Sequence, residues 1–167
     1  MPCLNYATFL LPDFAPLLYF SSPLVGDKSP RSVAAPSLVC CGPPAYGQKH
    51  PYLFSSLHSI SALLTIPEHV AAQPREPGDK LAILTQSVKD NSCVRFVEEA
   101  DEARKAQLRT VKWFVDCGDD DFLLDRNIEF FHAMRKANIH CEFRVRDGGH
   151  TWEYFHSAWY LSLIYTS

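Results

Sequence analysis

Two strand-then-turn units in the C-terminal third constrain this chain more than anything else in it. Val111-Lys112-Trp113-Phe114-Val115 is a run of aromatic and β-branched residues with the composition of a buried strand. It enters a polar, glycine-containing turn crowded with carboxylates, Asp116-Cys117-Gly118-Asp119-Asp120-Asp121-Phe122-Leu123. Further on, His140 to Arg146 alternates, with Cys141, Phe143 and Val145 on one face and Glu142, Arg144 and Arg146 on the other. This second strand also ends in a turn, Gly148-Gly149-His150-Thr151-Trp152. Two neighbouring strands therefore deliver first an acid and then a histidine to one edge of a sheet.

Acid before histidine is the order in which an α/β-hydrolase uses its last two triad members, after a serine nucleophile. The histidine must take a proton from a weakly acidic hydroxyl. The acid holds the ring in one tautomer and stabilises the imidazolium as it forms. Cys117-Gly118-Asp119-Asp120-Asp121-Phe122-Leu123 and Gly148-Gly149-His150-Thr151-Trp152-Glu153-Tyr154-Phe155 resemble motifs of a family of α/β-hydrolase esterases. These are the relatives of S-formylglutathione hydrolase, feruloyl and acetyl-xylan esterases and mycolyltransferases. The resemblance runs from about Gln48 to the C-terminus. It implies that the acid is Asp121, third after the turn glycine, and that the histidine is His150, which follows the glycine pair. The implied substrates are small acyl or acylated-carbohydrate esters, with no cofactor and no catalytic metal.

The expected fold is thus α/β: a truncated α/β-hydrolase with a mostly parallel sheet flanked by helices and an irregular N-terminal part. At 167 residues the chain is short for this family, and the shortfall lies at the front. Residues 1–47 form a Pro-rich segment in which Pro2, Pro12, Pro16, Pro23, Pro30, Pro36, Pro43 and Pro44 interrupt helices and central strands. Residues 48–167 are read as the esterase part. No basic region precedes the first apolar stretch, so a secretory signal is not supported and compartment stays open.

Family members carry a Gly-x-Ser-x-Gly-Gly elbow fourteen residues before the proline of a His-Pro-x-Leu-Phe element. That element is matched by His50-Pro51-Tyr52-Leu53-Phe54, and the count back lands on Ser37. Ser37 is therefore the candidate nucleophile, and Leu38 would supply one oxyanion N–H. The local sequence Ala35-Pro36-Ser37-Leu38-Val39 departs from the elbow, with Val39 where the close approach of strand and helix calls for glycine. Pro43 and Pro44 are expected to break the helix that should follow. One explanation is that residues 1–47 do not continue the family sequence in frame.

Elsewhere the pattern is ordinary. Leu53–Leu64 should lead into a parallel strand, and Pro67–Lys80 should be a loop, which the family resemblance implies lies over the active-site side. His58 and His69 are read as packed or solvated, not as bases. A helix capped at Asp90-Asn91-Ser92 carries Val94, Val97, Ala100 and Leu108 inward, and its acidic start and basic end suit the helix dipole. A helix from Asp125 to Ala137 turns Ile128, Phe131 and Met134 inward, leaves Arg126, Asn127 and Glu129 at the surface, and stops at Asn138. A C-terminal helix carries Trp152, Phe155, Trp159 and Leu163 as a packing stripe, and Trp152, beside His150, is the candidate substrate-binding residue.

The net charge of −3 without a basic stripe argues against nucleic acid, and no apolar run reaches the roughly 20 residues of a membrane span. Six cysteines without a Cys-x-x-Cys pair read as small buried hydrophobes where they fall on strands, as Cys117 and Cys141 do. Two alternatives to catalysis remain at this point. One is a non-catalytic remnant that keeps only the acid and the histidine. The other is a metal- or carbohydrate-binding module using Asp116, Asp119, Asp120, Asp121 and Asp125, although their spacing does not follow a calcium loop. Oligomeric state is not legible.

Overall fold

The computed structural model describes residues 32–36, 42–67 and 79–166. Ser37, Leu38, Val39 and His69 lie outside the described residues. The elements in order are β1 (Ser32–Pro36), α1 (Gly42–Lys49), a single 3₁₀ turn (Pro51–Leu53), β2 (Ser56–Ile60), α2 (Lys80–Asp90), α3 (Cys93–Glu99), α4 (Glu102–Leu108), β3 (Lys112–Gly118), α5 (Leu124–Lys136), β4 (Cys141–Arg146) and α6 (Trp152–Thr166). The four strands pair in the order β1-β2-β3-β4, every pair parallel. Each crossover carries helix, as parallel pairing demands.

Strand alternation sorts the side chains to two faces. Leu57, Trp113, Val115 and Cys141 share one core with Val97, Leu108, Phe130 and Met134, under a layer of α1, α3 and α5. Ile60 belongs to a smaller core on the other face, with Tyr154, Phe155 and Ala158 of α6, which crosses β1, β2 and β3. The fold is therefore helix–sheet–helix, as expected for an α/β-hydrolase. Among the described residues no helix is long and apolar enough to cross a membrane.

Several local expectations change. The Pro-rich segment contributes β1, whose last residue Pro36 sits in register with Ile60 of β2. Pro43 and Pro44 do not break α1, because they occupy its first turn, where the backbone N–H groups have no intrahelical partner to lose. The single helix expected after Ser92 is two. Ser92 caps α3 and Asp101 caps α4, each side chain accepting from the N–H three residues on, so the chain turns at Ala100. The inward face of α5 is rotated by one residue from expectation. Asn127, Phe130, Ala133 and Met134 are buried, and Asn127 donates its side-chain N–H to the carbonyls of Ala62 and Leu123. Asn138 adopts the left-handed conformation at φ 55° that ends α5. Cys93, Cys117 and Cys141 are buried free thiols, and burial pushes Cys117 and Cys141 up to about 12.

His58 is fully buried in the middle of β2, with its ring 5.3 Å from that of Phe114 and 5.1 Å from that of Tyr165. Neither ring nitrogen has a hydrogen-bond partner. Burial lowers its pKa to about 4, with Glu142 opposing weakly. The unfolded chain protonates His58 near its ordinary value of about 6.5, so the folded state is fully favoured above that pH and loses stability as pH falls towards 4. The loss attributable to this group is roughly 3 kcal/mol. Urea unfolding of His58→Leu at neutral pH and at a pH of about 4 checks it: the variant's stability should fall less on acidification than the parent's by that amount, with little cost at neutral pH.

Candidate active site

The C-terminal ends of the parallel strands share one edge, where open α/β sheets bind their ligands. β3 and β4 end together, with Gly118 in register with Arg146. Beyond that pair the two turns are tied to each other. The Asp119 N–H donates to the Arg146 carbonyl at 3.0 Å, the Asp120 N–H to the Gly148 carbonyl at 3.1 Å, and the Gly148 N–H to Asp119 Oδ1 at 3.0 Å.

Glycine is required twice in this contact. A Cβ on Gly118 would stand 2.0 Å from the Gly148 carbonyl oxygen, closer than any non-bonded approach. Gly148 itself has φ +130°, and a Cβ there would meet the Tyr154 ring at 2.8 Å. The β3 strand runs on to Gly118, past the Val115 at which the sequence suggests it ends, so Asp116 lies in the ladder and not in the turn.

The turns bring the expected acid and base together. His150 Nδ1 lies 2.8 Å from Asp121 Oδ2. The other carboxylate oxygen of Asp121 accepts from the Leu123 N–H at 2.8 Å, an Asx turn that fixes the side chain before the imidazole arrives. Asp121 is only 4% exposed. With the carboxylate as acceptor, the His150 proton sits on Nδ1 and the basic lone pair on Nε2. The His150 ring is held between two phenylalanines. The buried Phe155 meets it edge-on at 5.0 Å, and Phe122, 70% exposed, lies at 4.8 Å.

Trp152 does not join the packing stripe expected of the last helix. It is 68% exposed and meets Phe155 edge-on at 5.8 Å, and Phe155 in turn meets the His150 ring. The buried stripe of α6 is Tyr154, Phe155, Ala158 and Ser162.

The other carboxylates have separate tasks. Asp116, with no exposed surface, accepts from Arg146 Nε at 3.0 Å, from Arg146 Nη2 at 2.9 Å and from the Tyr154 hydroxyl at 2.5 Å. Asp119 holds the Gly148 N–H. Among the described residues no group of three or more His, Cys, Asp or Glu side chains could hold a metal ion, because these carboxylates point to different partners. The sequence reading missed Asp116 and Arg146 as a pair. The available signal was a carboxylate inside a strand of apolar residues, which needs a buried partner.

No family model matches the chain, and no curated protein matches it. Solved structures do. A ferulic acid esterase is 52% identical, with a TM-score of 0.88, over 96% of this chain and 60% of its own length. An S-formylglutathione hydrolase from Staphylococcus aureus is 17% identical with a TM-score of 0.77, over 96% of this chain and 63% of its own. An enterobactin esterase from Shigella flexneri is 15% identical with a TM-score of 0.72, over 99% of this chain and 39% of its own. The chain thus spans about 60% of the length of the first of these.

Proposed function

Since the chain belongs to the esterase type of α/β-hydrolases, we propose that it is a serine carboxylic-ester hydrolase acting on small acyl or acylated-carbohydrate esters, with Ser37, His150 and Asp121 as its triad. The observation that carries the reading is the 2.8 Å contact between His150 Nδ1 and the buried Asp121 carboxylate. Support for Ser37 comes from topology. It is the residue after Pro36, the last of β1, and β1 ends at the same sheet edge as β3 and β4.

In the proposed reaction the Ser37 hydroxyl oxygen attacks the ester carbonyl carbon as His150 Nε2 takes its proton. Backbone N–H groups, Leu38 among them, hold the resulting oxyanion. The imidazolium gives its proton to the leaving alkoxide oxygen, and the carbon–oxygen ester bond breaks to leave an acyl-serine. Water then attacks the acyl carbon with His150 again as base, and the acid departs with Ser37 restored.

The acyl group proposed is an aromatic one of the hydroxycinnamoyl type. The 52% identical structure carries the name ferulic acid esterase, and the exposed rings of Phe122 and Trp152 flank the His150–Phe155 stack with open aromatic surface. Offset or edge-on ring contacts contribute about 0.5–1.5 kcal/mol beyond burial. Phe122→Ala is therefore expected to lower kcat/KM for methyl ferulate about tenfold, while leaving 4-nitrophenyl acetate hydrolysis within about twofold. Equal losses on both esters would assign Phe122 to holding His150 instead.

Fluorophosphonate labelling followed by peptide mapping tests the triad. The adduct should fall on Ser37 and disappear in Ser37→Ala and His150→Ala. An adduct that survives in Ser37→Ala moves the nucleophile to another residue, and an unlabelled parent chain ends the hydrolase proposal.

A further inference from the structure

We propose that Asp116, Arg146 and Tyr154 form a positioning device that sets the His150–Asp121 contact, each residue being supplied by one of the three elements on which that contact depends. The proposal rests on the reading of His150 as the base. Asp116 belongs to β3, which leads into the acid turn; Arg146 ends β4, which leads into the histidine turn; Tyr154 lies in the first turns of α6, four residues after His150. The Asp116 carboxylate joins all three, accepting the Arg146 fork at 3.0 and 2.9 Å and the Tyr154 hydroxyl at 2.5 Å.

The geometry around this junction leaves few alternatives for the turns above it. The Arg146 guanidinium lies 4.5 Å from the Tyr154 ring centroid and donates through Nη1 to Ser157 Oγ at 2.9 Å, one helical turn further along α6. The Tyr154 ring in turn backs the Gly148 α-carbon. A shift of the ring would move Gly148, whose carbonyl and N–H tie the histidine turn to Asp120 and Asp119. Asp116 has no exposed surface, so its charge depends on these two donors. Its carboxylate is held by Arg146 and Tyr154, and the role proposed for it is exerted through them, as a positioning residue and not a catalytic one.

The test uses the 167-residue chain with Tyr154→Phe, Arg146→Lys and Arg146→Gln. Met134→Leu serves as a control in the core on the opposite sheet face. Three quantities are read: the hydrogen-bonded His150 Nδ1 proton by NMR, the rate and half-saturating concentration of fluorophosphonate labelling, and the melting temperature. Tyr154→Phe should weaken or abolish the Nδ1 proton signal and slow labelling about tenfold or more, with the half-saturating concentration unchanged. Arg146→Lys should retain more of both signals than Arg146→Gln, and Met134→Leu should keep both even where it lowers the melting temperature as much. Unchanged signals in Tyr154→Phe and Arg146→Gln would overturn the proposal. So would losses that simply track melting temperature across all four variants. If the parent chain is not labelled but the Nδ1 proton is present and lost in Tyr154→Phe, the positioning claim stands and the hydrolase reading falls.

Discussion

Replacing Asp121 by Asn is expected to lower kcat/KM for ester hydrolysis by about 10⁴-fold while the chain stays folded. The amide oxygen of Asn can still accept from the Leu123 N–H, which now holds Asp121 Oδ1 at 2.8 Å, so the turn keeps its local support. The amide nitrogen would then face His150 Nδ1 and donate to it. The ring proton would move to Nε2, removing the lone pair that must take the serine proton. The variant should melt within a few degrees of the parent, because the exchange is isosteric, keeps the Leu123 hydrogen bond and replaces the His150 one by a neutral bond of reversed direction. Steady-state hydrolysis together with a thermal melt checks both halves. A modest rate loss with a large melting change would make Asp121 a structural residue first.

Gly118→Ala carries the largest expected effect on stability. Its Cβ would lie 2.0 Å from the Gly148 oxygen, 2.7 Å from the Gly148 carbonyl carbon and 3.3 Å from the Gly149 nitrogen, all backbone atoms. That carbonyl also accepts from the Asp120 N–H, so it cannot withdraw without breaking the tie between the two turns. The expected cost is about 3 kcal/mol or more, or a melting temperature lower by roughly 10 °C for a chain of this size, and the His150–Asp121 contact should open with it. Gly149→Ala is the matched control. The nearest atom to its Cβ is 3.7 Å away, ordinary contact, so its stability should change by less than about 0.5 kcal/mol. Denaturant unfolding of the pair decides this: equal losses would mean that the tight approach at Gly118 is relieved by movement elsewhere.

The meeting of Asp121 and His150 was legible in the sequence because its signals are local. A buried strand, a carboxylate turn, an alternating strand and a glycine-glycine-histidine turn each occupy fewer than ten consecutive residues, and parallel pairing of adjacent strands then does the rest. What was not legible depends on residues far apart. Asp116 looks like one more turn carboxylate until Arg146, thirty residues on, is placed beside it in the neighbouring strand. The phase of α5 was ambiguous because Phe130 and Phe131 are adjacent, and only the docking of Asn127 on the Ala62 carbonyl selects between the two faces. Trp152 fits a helical stripe by spacing, yet it stands in the first turn of α6, before the helix meets the sheet. The break at Ala100 had a readable signal in Asp101, a capping residue three positions before Arg104, which the continuous apolar stripe obscured. Pro43 and Pro44 misled for a simpler reason: proline is a breaker inside a helix and acceptable in its first turn, and the sequence alone does not say where that turn begins.

The relation between His150 and Asp121 can be measured without any substrate. In a chain labelled with ¹⁵N, the proton on His150 Nδ1 should give a strongly deshielded resonance, protected from exchange by the Asp121 carboxylate and absent in Asp121→Asn. A His150 ring whose protons exchange as freely in the parent as in Asp121→Asn would contradict the pairing on which the proposed chemistry depends.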